Sequence, residues 1–306
     1  MDIISTIIPI FAIILIGYLA RKKGFIQADF IGPANSLVYY LAIPAMVFRA
    51  ISQAALNTHF NVGILLITLA MVAGSFVFAW IGGNIFRIRR NQLGTYIQVA
   101  FHGNLGYIGL AVTFYYLGES GLVKASILTG FMMILQNLLS VLALTVNARQ
   151  PGAASHAIVV AKNIAANPVV LSAMAGIACS LMAIPIPVII QRSLDILSGL
   201  ALPMALLIIG ASISFQELRR RLKSAFSAVA IKLLLMPALG YLCFLALGFG
   251  SQDFLPALIL LASPCATVSY VMAKEMNGDP EFAVITISLS TSLSAITYTL
   301  WLQLAT

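Results

Sequence analysis

Apolar residues run along this chain in long blocks, separated by short stretches of charge, proline or glycine. Each block is about the length of a helix that crosses a bilayer, roughly 20 residues. As spans, the blocks fall at roughly 3–20, 30–52, 61–86, 94–117, 121–146, 167–184, 188–212, 225–249, 254–273 and 280–303. The pattern predicts an all-α integral membrane protein with ten transmembrane helices. Pro44, Gly103, Gly106, Gly109, Pro203 and Pro264 interrupt spans near their middles. Backbone groups freed by such interruptions survive in a membrane only where they face protein or a wet cavity.

Composition narrows the class. Of 306 residues, 61% are hydrophobic and 8% charged, and the mean hydropathy is +1.02. A soluble domain usually has about 25% charge, so soluble enzymes, nucleic-acid binders and disordered chains are excluded. Ten spans use about 200 residues, which leaves short loops and no extramembrane domain.

The net charge of +8 is read as basic residues at cytoplasmic helix ends rather than as a nucleic-acid footprint. Odd-numbered loops hold most of the 17 basic residues, in clusters such as Arg21 to Lys23, Arg87 to Arg90 and Arg219 to Lys223. The even side has only Arg49, Lys124 and Arg192, near span ends. The positive-inside rule places the odd loops in the cytoplasm and both termini outside. The start Met1-Asp2-Ile3-Ile4 lacks the basic region of a cleavable signal peptide. Cys179, Cys243 and Cys265 sit in apolar runs without paired spacing, so neither a disulfide nor a metal site is expected.

The chain divides into residues 1–147, a linker at 148–166 with a turn and a short interfacial amphipathic helix, and residues 167–306. At an offset of 159, Pro9 falls on Pro168, Gly17 on Gly176 and Pro44 on Pro203. Around the last pair, Leu41-Ala42-Ile43-Pro44 aligns with Leu200-Ala201-Leu202-Pro203. Each half has five spans. An odd number makes the halves enter the membrane from opposite sides, which is an inverted repeat, the architecture of secondary transporters.

In such a repeat the fourth spans of the two halves are the pair expected to break. Span four reads Phe101-His102-Gly103-Asn104-Leu105-Gly106-Tyr107-Ile108-Gly109, and span nine reads Ser263-Pro264-Cys265-Ala266-Thr267. If both unwind, half-helix N-termini and freed N–H groups converge on a point suited to an anion. The alternative for the glycines is close helix packing, since small residues line tight interfaces. Asn104 beside Gly103, with Pro264 in the partner span, favours broken helices.

These segments resemble the auxin efflux carrier family, which includes bacterial carriers of malonate, malate and similar anions. The resemblance runs through Leu41 to Pro44, Gly103 to Gly109, Leu202-Pro203-Met204-Ala205-Leu206, Pro264, Tyr270 to Glu275, Asp279-Pro280 and Ser288 to Thr291. It implies two inverted five-helix repeats, helices four and nine crossing at broken points, and a carboxylate near the crossing. It also implies an inner-membrane location and a homodimer. Asn104 takes the place of the family's crossover asparagine, and Pro264 that of its helix-nine proline.

The expected substrate contacts are Gly103, Asn104, Gly106, Tyr107, Ser263, Pro264, Cys265, Ala266 and Thr267. Gln136 and Asn137 in span five are candidates for the substrate path, against simple bonding to a neighbouring helix. Pro44, Pro203 and Pro264 are expected hinges or breaks. Asp195 is the one acid well inside a span. It is either a coupling group or an interfacial partner of Arg192 three residues earlier. Lys232 is expected to reach the cytoplasmic interface by snorkelling, leaving the anion site without a fixed cation. No cofactor and no HExxH-type metal spacing are foreseen. The partners are a small organic anion and the bilayer, and no nucleic acid. The function expected is alternating-access transport of small organic carboxylates. A channel or potential-driven uniporter is the alternative, and a membrane-embedded enzyme would lack a nucleophile with its base.

Overall fold

The computed structural model describes residues 3–53, 61–147, 167–214 and 218–306. The linker expected at 148–166, with its amphipathic helix, lies outside these residues, as do His59 and His156. The chain runs α1 (Ile3–Lys22), α2 (Ala28–Leu37), a π-turn (Val38–Ala42), α3 (Ile43–Ser52), α4 (Val62–Ile85) and α5 (Arg90–Phe101). A second π-turn (Leu105–Gly109) leads into α6 (Leu110–Asn147), then α7 (Pro168–Leu181), α8 (Val188–Ser212) and α9 (Leu218–Ala230). A third π-turn (Ile231–Leu235) precedes α10 (Met236–Ala246), α11 (Ser251–Leu261), α12 (Val268–Glu275) and α13 (Pro280–Ala305).

Six stretches among the described residues are long and apolar enough to cross a membrane. They are Ala28–Ser52, Val62–Ile85, Leu105–Asn147, Val188–Ser212, Arg221–Ala246 and Pro280–Ala305. Two further apolar helices, Pro168–Leu181 and Ser251–Leu261, are shorter. Within α6 the backbone leaves helical geometry at Gly118 (φ 69°, ψ −161°). A positive φ is cheap only for glycine, and this one falls at the loop expected between spans four and five.

Prolines act differently along the chain. Pro44 and Pro237 each lie in the first turn of a helix that follows a π-turn. Proline has no N–H to give the preceding turn and its ring crowds the carbonyl there, and a widened turn relieves both. Pro203 instead lies inside a helix, α8, that runs unbroken from Val188 to Ser212.

The residues form two units. The first comprises Met1–Val62, Gly106–Phe131 and Ala165–Ser212; the second comprises Gly63–Leu105, Met132–Ile164 and Ile213–Thr306. In the first, α1 packs on α8 and α7 packs on α3. Glycines set both contacts. A Cβ on Gly17 would overlap the Leu207 carbonyl, and one on Gly210 would overlap the Ile14 carbonyl, so α1 and α8 meet backbone to backbone. On α7, a Cβ at Gly176 would lie 3.0 Å from Ile51 Cβ of α3. Asn167 starts α7 by accepting the N–H groups of Val169 (2.9 Å) and Val170 (3.2 Å) on its side-chain oxygen, ahead of Pro168.

In the second unit, α13 starts in the same way. Asp279 accepts the Phe282 N–H at 3.0 Å and precedes Pro280. Its own N–H donates to Thr95 Oγ1 of α5 at 2.8 Å, and Arg221 of α9 pairs with both Asp279 and Glu281. Farther along α13, Tyr298 donates to Ile259 O of α11 (3.2 Å) and the Trp301 indole to Leu233 O (2.8 Å). Each aromatic is buried with its polar tip satisfied.

Candidate functional site

Helix α5 stops at Phe101, and His102 is extended (φ −78°, ψ 102°). Helix α11 stops at Leu261, and α12 does not begin until Val268. Pro264 supplies no N–H, and it biases Ser263 away from helical geometry. The two breaks lie side by side in the second unit. Gly103 and Cys265 face each other as an antiparallel pair. The Asn104 N–H donates to Pro264 O at 2.7 Å, and the Ala266 N–H donates to His102 O at 2.9 Å. Gly103 and Cys265 therefore form the non-hydrogen-bonded pair of this ladder, in which Cα atoms approach to about 4.5 Å. Other neighbours require the glycine: a Cβ on Gly103 would run into Ser263 Oγ and stand 3.1 Å from Lys232 Cε.

Most of the backbone donors expected to meet an anion are thus engaged within the protein. The Cys265 N–H donates to Ser290 Oγ of α13 at 3.0 Å, and the Ala266 N–H is in the ladder. The N–H groups of Thr267 and Val268 remain at the opening of α12, where no intrahelical acceptor exists. The Cys265 thiol donates to Val99 O (2.9 Å), and the Ser263 hydroxyl donates back to Leu260 O (2.7 Å). Asn104, Ser263, Cys265 and Ala266 are all buried at this crossing.

The second half of α6 closes on the same point. Gln136 is fully buried and its amide N–H approaches Phe101 O at 3.4 Å, while its carbonyl oxygen has no partner. Ser140, one turn on, shares a hydrogen bond of 2.9 Å with His102 Nδ1. Gln136 therefore joins the crossing; Asn137 is half-exposed on the neighbouring face and makes no bond to it. Gly106 and Tyr107 fall in the first unit, where the Tyr107 hydroxyl donates to Asn35 Oδ1 at 2.6 Å.

Lys232 departs from its expectation. It does not snorkel: it has no exposed surface, and its ammonium donates to Leu261 O at 2.7 Å. That carbonyl ends α11, at the negative end of a helix dipole. A charge at the bilayer centre costs roughly 2.5–3.5 kcal/mol on insertion scales. Lys232 lies within the π-turn Ile231–Leu235, and its side chain is buried in the protein. A lysine side chain does stand beside the crossing.

Asp195 departs as well. Its partner is Arg49 of α3 rather than Arg192, and Arg49 also reaches Glu119 at 3.2 Å. The three groups line a cavity of about 250 Å³ in the first unit, with Met46, Phe114, Leu202 and Pro203 among its walls. Pro203 thus meets open space rather than a helix break.

Six stretches long and apolar enough to cross a membrane make this a multi-pass membrane protein, and two shorter helices that end at breaks joined at one point give it a polar crossing inside one unit. Residues 2–302 match the family described as membrane transport protein, and the chain belongs to that family, the auxin efflux carriers its motifs resemble. Among similar proteins, one of Rhizobium meliloti (strain 1021), named provisionally as a malonate transporter, is 30% identical over 97% of this chain and 94% of its own. An uncharacterized transporter of Methanothermobacter thermautotrophicus is 24% identical over 97% of this chain and 96% of its own. Another, of Escherichia coli (strain K12), is 21% identical over 99% and 97%. These names describe transporters, not enzymes.

Proposed function

We propose that this membrane transporter is a secondary carrier of small organic carboxylates such as malonate, malate or auxin-like acids, working by alternating access. The observation that supports it most is the stitched crossing of the two broken helices at Gly103 and Cys265. There a bound carboxylate would meet the Asn104 amide, the N–H groups that open α12, and donors from Gln136. The relative named for malonate supports the substrate class.

The inverted repeat of residues 1–147 and 167–306, with ten spans, is part of this reading. Exchanging span one with six and two with seven turns the Gly17 packing of α1 on α8 into the Gly176 packing of α7 on α3. Alternating access would then move the unit that holds the crossing. We further assign the protein to a bacterial inner membrane, with external termini and possible pairing as a homodimer. Reporter labelling of the loop at Arg87 to Arg90 as cytoplasmic and of the C-terminus as external tests the orientation; a cytoplasmic C-terminus breaks the ten-span count.

The site is tested by thermal stabilisation of purified protein with acetate, malonate, malate and an indole carboxylate. Asn104→Ala removes a hydrogen bond to a charged ligand, about 1.5–3 kcal/mol, or roughly a ten- to hundredfold loss of affinity. Wild-type affinity in a well-folded Asn104→Ala protein overturns the crossing as the site.

A further inference from the structure

Lys232 is the one Lys, Arg, Asp or Glu with a buried side chain among the described residues. The charged groups of the first unit's cluster, and Arg221 with Asp279, are partly exposed and paired with opposite charges. Lys232 has no carboxylate within ion-pair distance among the described residues. The titratable groups that face it are His102 and Cys265, and both are committed elsewhere, to Ser140 and to Val99 O. One of its three ammonium N–H groups is used, on Leu261 O.

A capping role alone explains this poorly. The end of α11 already receives the Ser263 hydroxyl on Leu260 O and the Ala262 N–H on Leu258 O. A neutral side chain could serve Leu261 O without bringing a full charge into an apolar interior. What a buried, unpaired ammonium lacks is an anion. Its position says where that anion would be: the Lys232 stem lies against Gly103, next to Ser263, at the point where the two helices break.

We propose that Lys232 is the counter-cation of the transported carboxylate, pairing with it at the crossing while Leu261 O holds the ammonium in the empty state. This rests on the carboxylate reading of the crossing given above. Affinity then depends on substrate charge as well as shape. An empty carrier keeps its cation lodged against a carbonyl at a helix end, and a loaded one neutralises it.

The test compares binding of malonate and of its uncharged diamide, malonamide, to purified wild type, Lys232→Gln and Asn104→Ala, by calorimetry on protein that elutes as one folded species. Lys232→Gln removes the charge and offers a neutral N–H donor one atom nearer the backbone; Lys232→Met is the second variant should Gln fail to fold. The expected result is strong preference for malonate over malonamide in wild type, and at least a tenfold loss of malonate affinity in Lys232→Gln with its preference largely gone. Wild-type malonate affinity in Lys232→Gln, with a loss in Asn104→Ala, overturns the counter-cation and leaves the crossing site standing. Wild-type affinity in both variants overturns the crossing too. A native protein that binds malonamide as well as malonate, or ignores malonate, acetate and malate altogether, overturns this inference without any variant.

Discussion

The two units treat a basic residue in opposite ways. In the first, Arg49 is shared by Asp195 and Glu119, whose side chains are 49% and 57% exposed at the edge of an open cavity. In the second, Lys232 has no exposed surface and only a carbonyl for company. Arg49 thus has its counter-charges in the fold, and water reaches both acids. The charge of Lys232 has no such complement, so anything anionic at the crossing acts on it strongly. An ion pair ties elements together; an unpaired buried cation suits a ligand.

That contrast can be broken most forcefully at Gly103. Gly103→Ala pushes a methyl group toward Ser263 and the Lys232 stem. Overpacking of this kind costs about 1–3 kcal/mol, read as a lower unfolding midpoint, and carboxylate binding should fall with it. Unchanged binding would mean that the Lys232 stem is free to move without consequence. Next comes Arg49→Met. Exposed pairs contribute about 0.2–1 kcal/mol, and the two acids left behind are half in water. A small drop in thermal stability and unaltered carboxylate affinity are expected; lost binding would give the first unit a substrate role. The smallest effect belongs to Asp195→Asn, well under ~1 kcal/mol, because Glu119 still holds Arg49. Transport assayed across pH should match wild type, and a shifted profile would make Asp195 the coupling group.

Much of the crossing was legible in the sequence, since glycine beside asparagine in one apolar run and proline among small residues in another each disrupt a helix locally. How the breaks satisfy each other was not. The bonds from Asn104 to Pro264 and from Ala266 to His102 join residues about 160 positions apart, and they take up a donor that local reading leaves for the ligand. Long-range pairing also explains Asp195. Arg192 is the near neighbour in sequence, but Arg49 is the one that packing delivers. Lys232 was visible as a charge within a span, yet its bond to Leu261 O, 29 residues on, is one that no local spacing rule reveals. The pairing of Gly17 with Gly176 drew attention by offset alone, and its packing role emerged only when each was seen to press against a different helix.

The ladder at Gly103 and Cys265 is a fragment of β-structure within a helical protein, and it obeys β rules. Side chains in such a segment alternate faces with a period of two. A slip of one residue therefore turns each of them to the opposite side. A substitution changes one side chain and leaves this register in place, whereas inserting or deleting a single residue between Phe101 and Leu105 would point Asn104 away from wherever it now faces. Over evolutionary time the length of this connection should be far less free to vary than its composition.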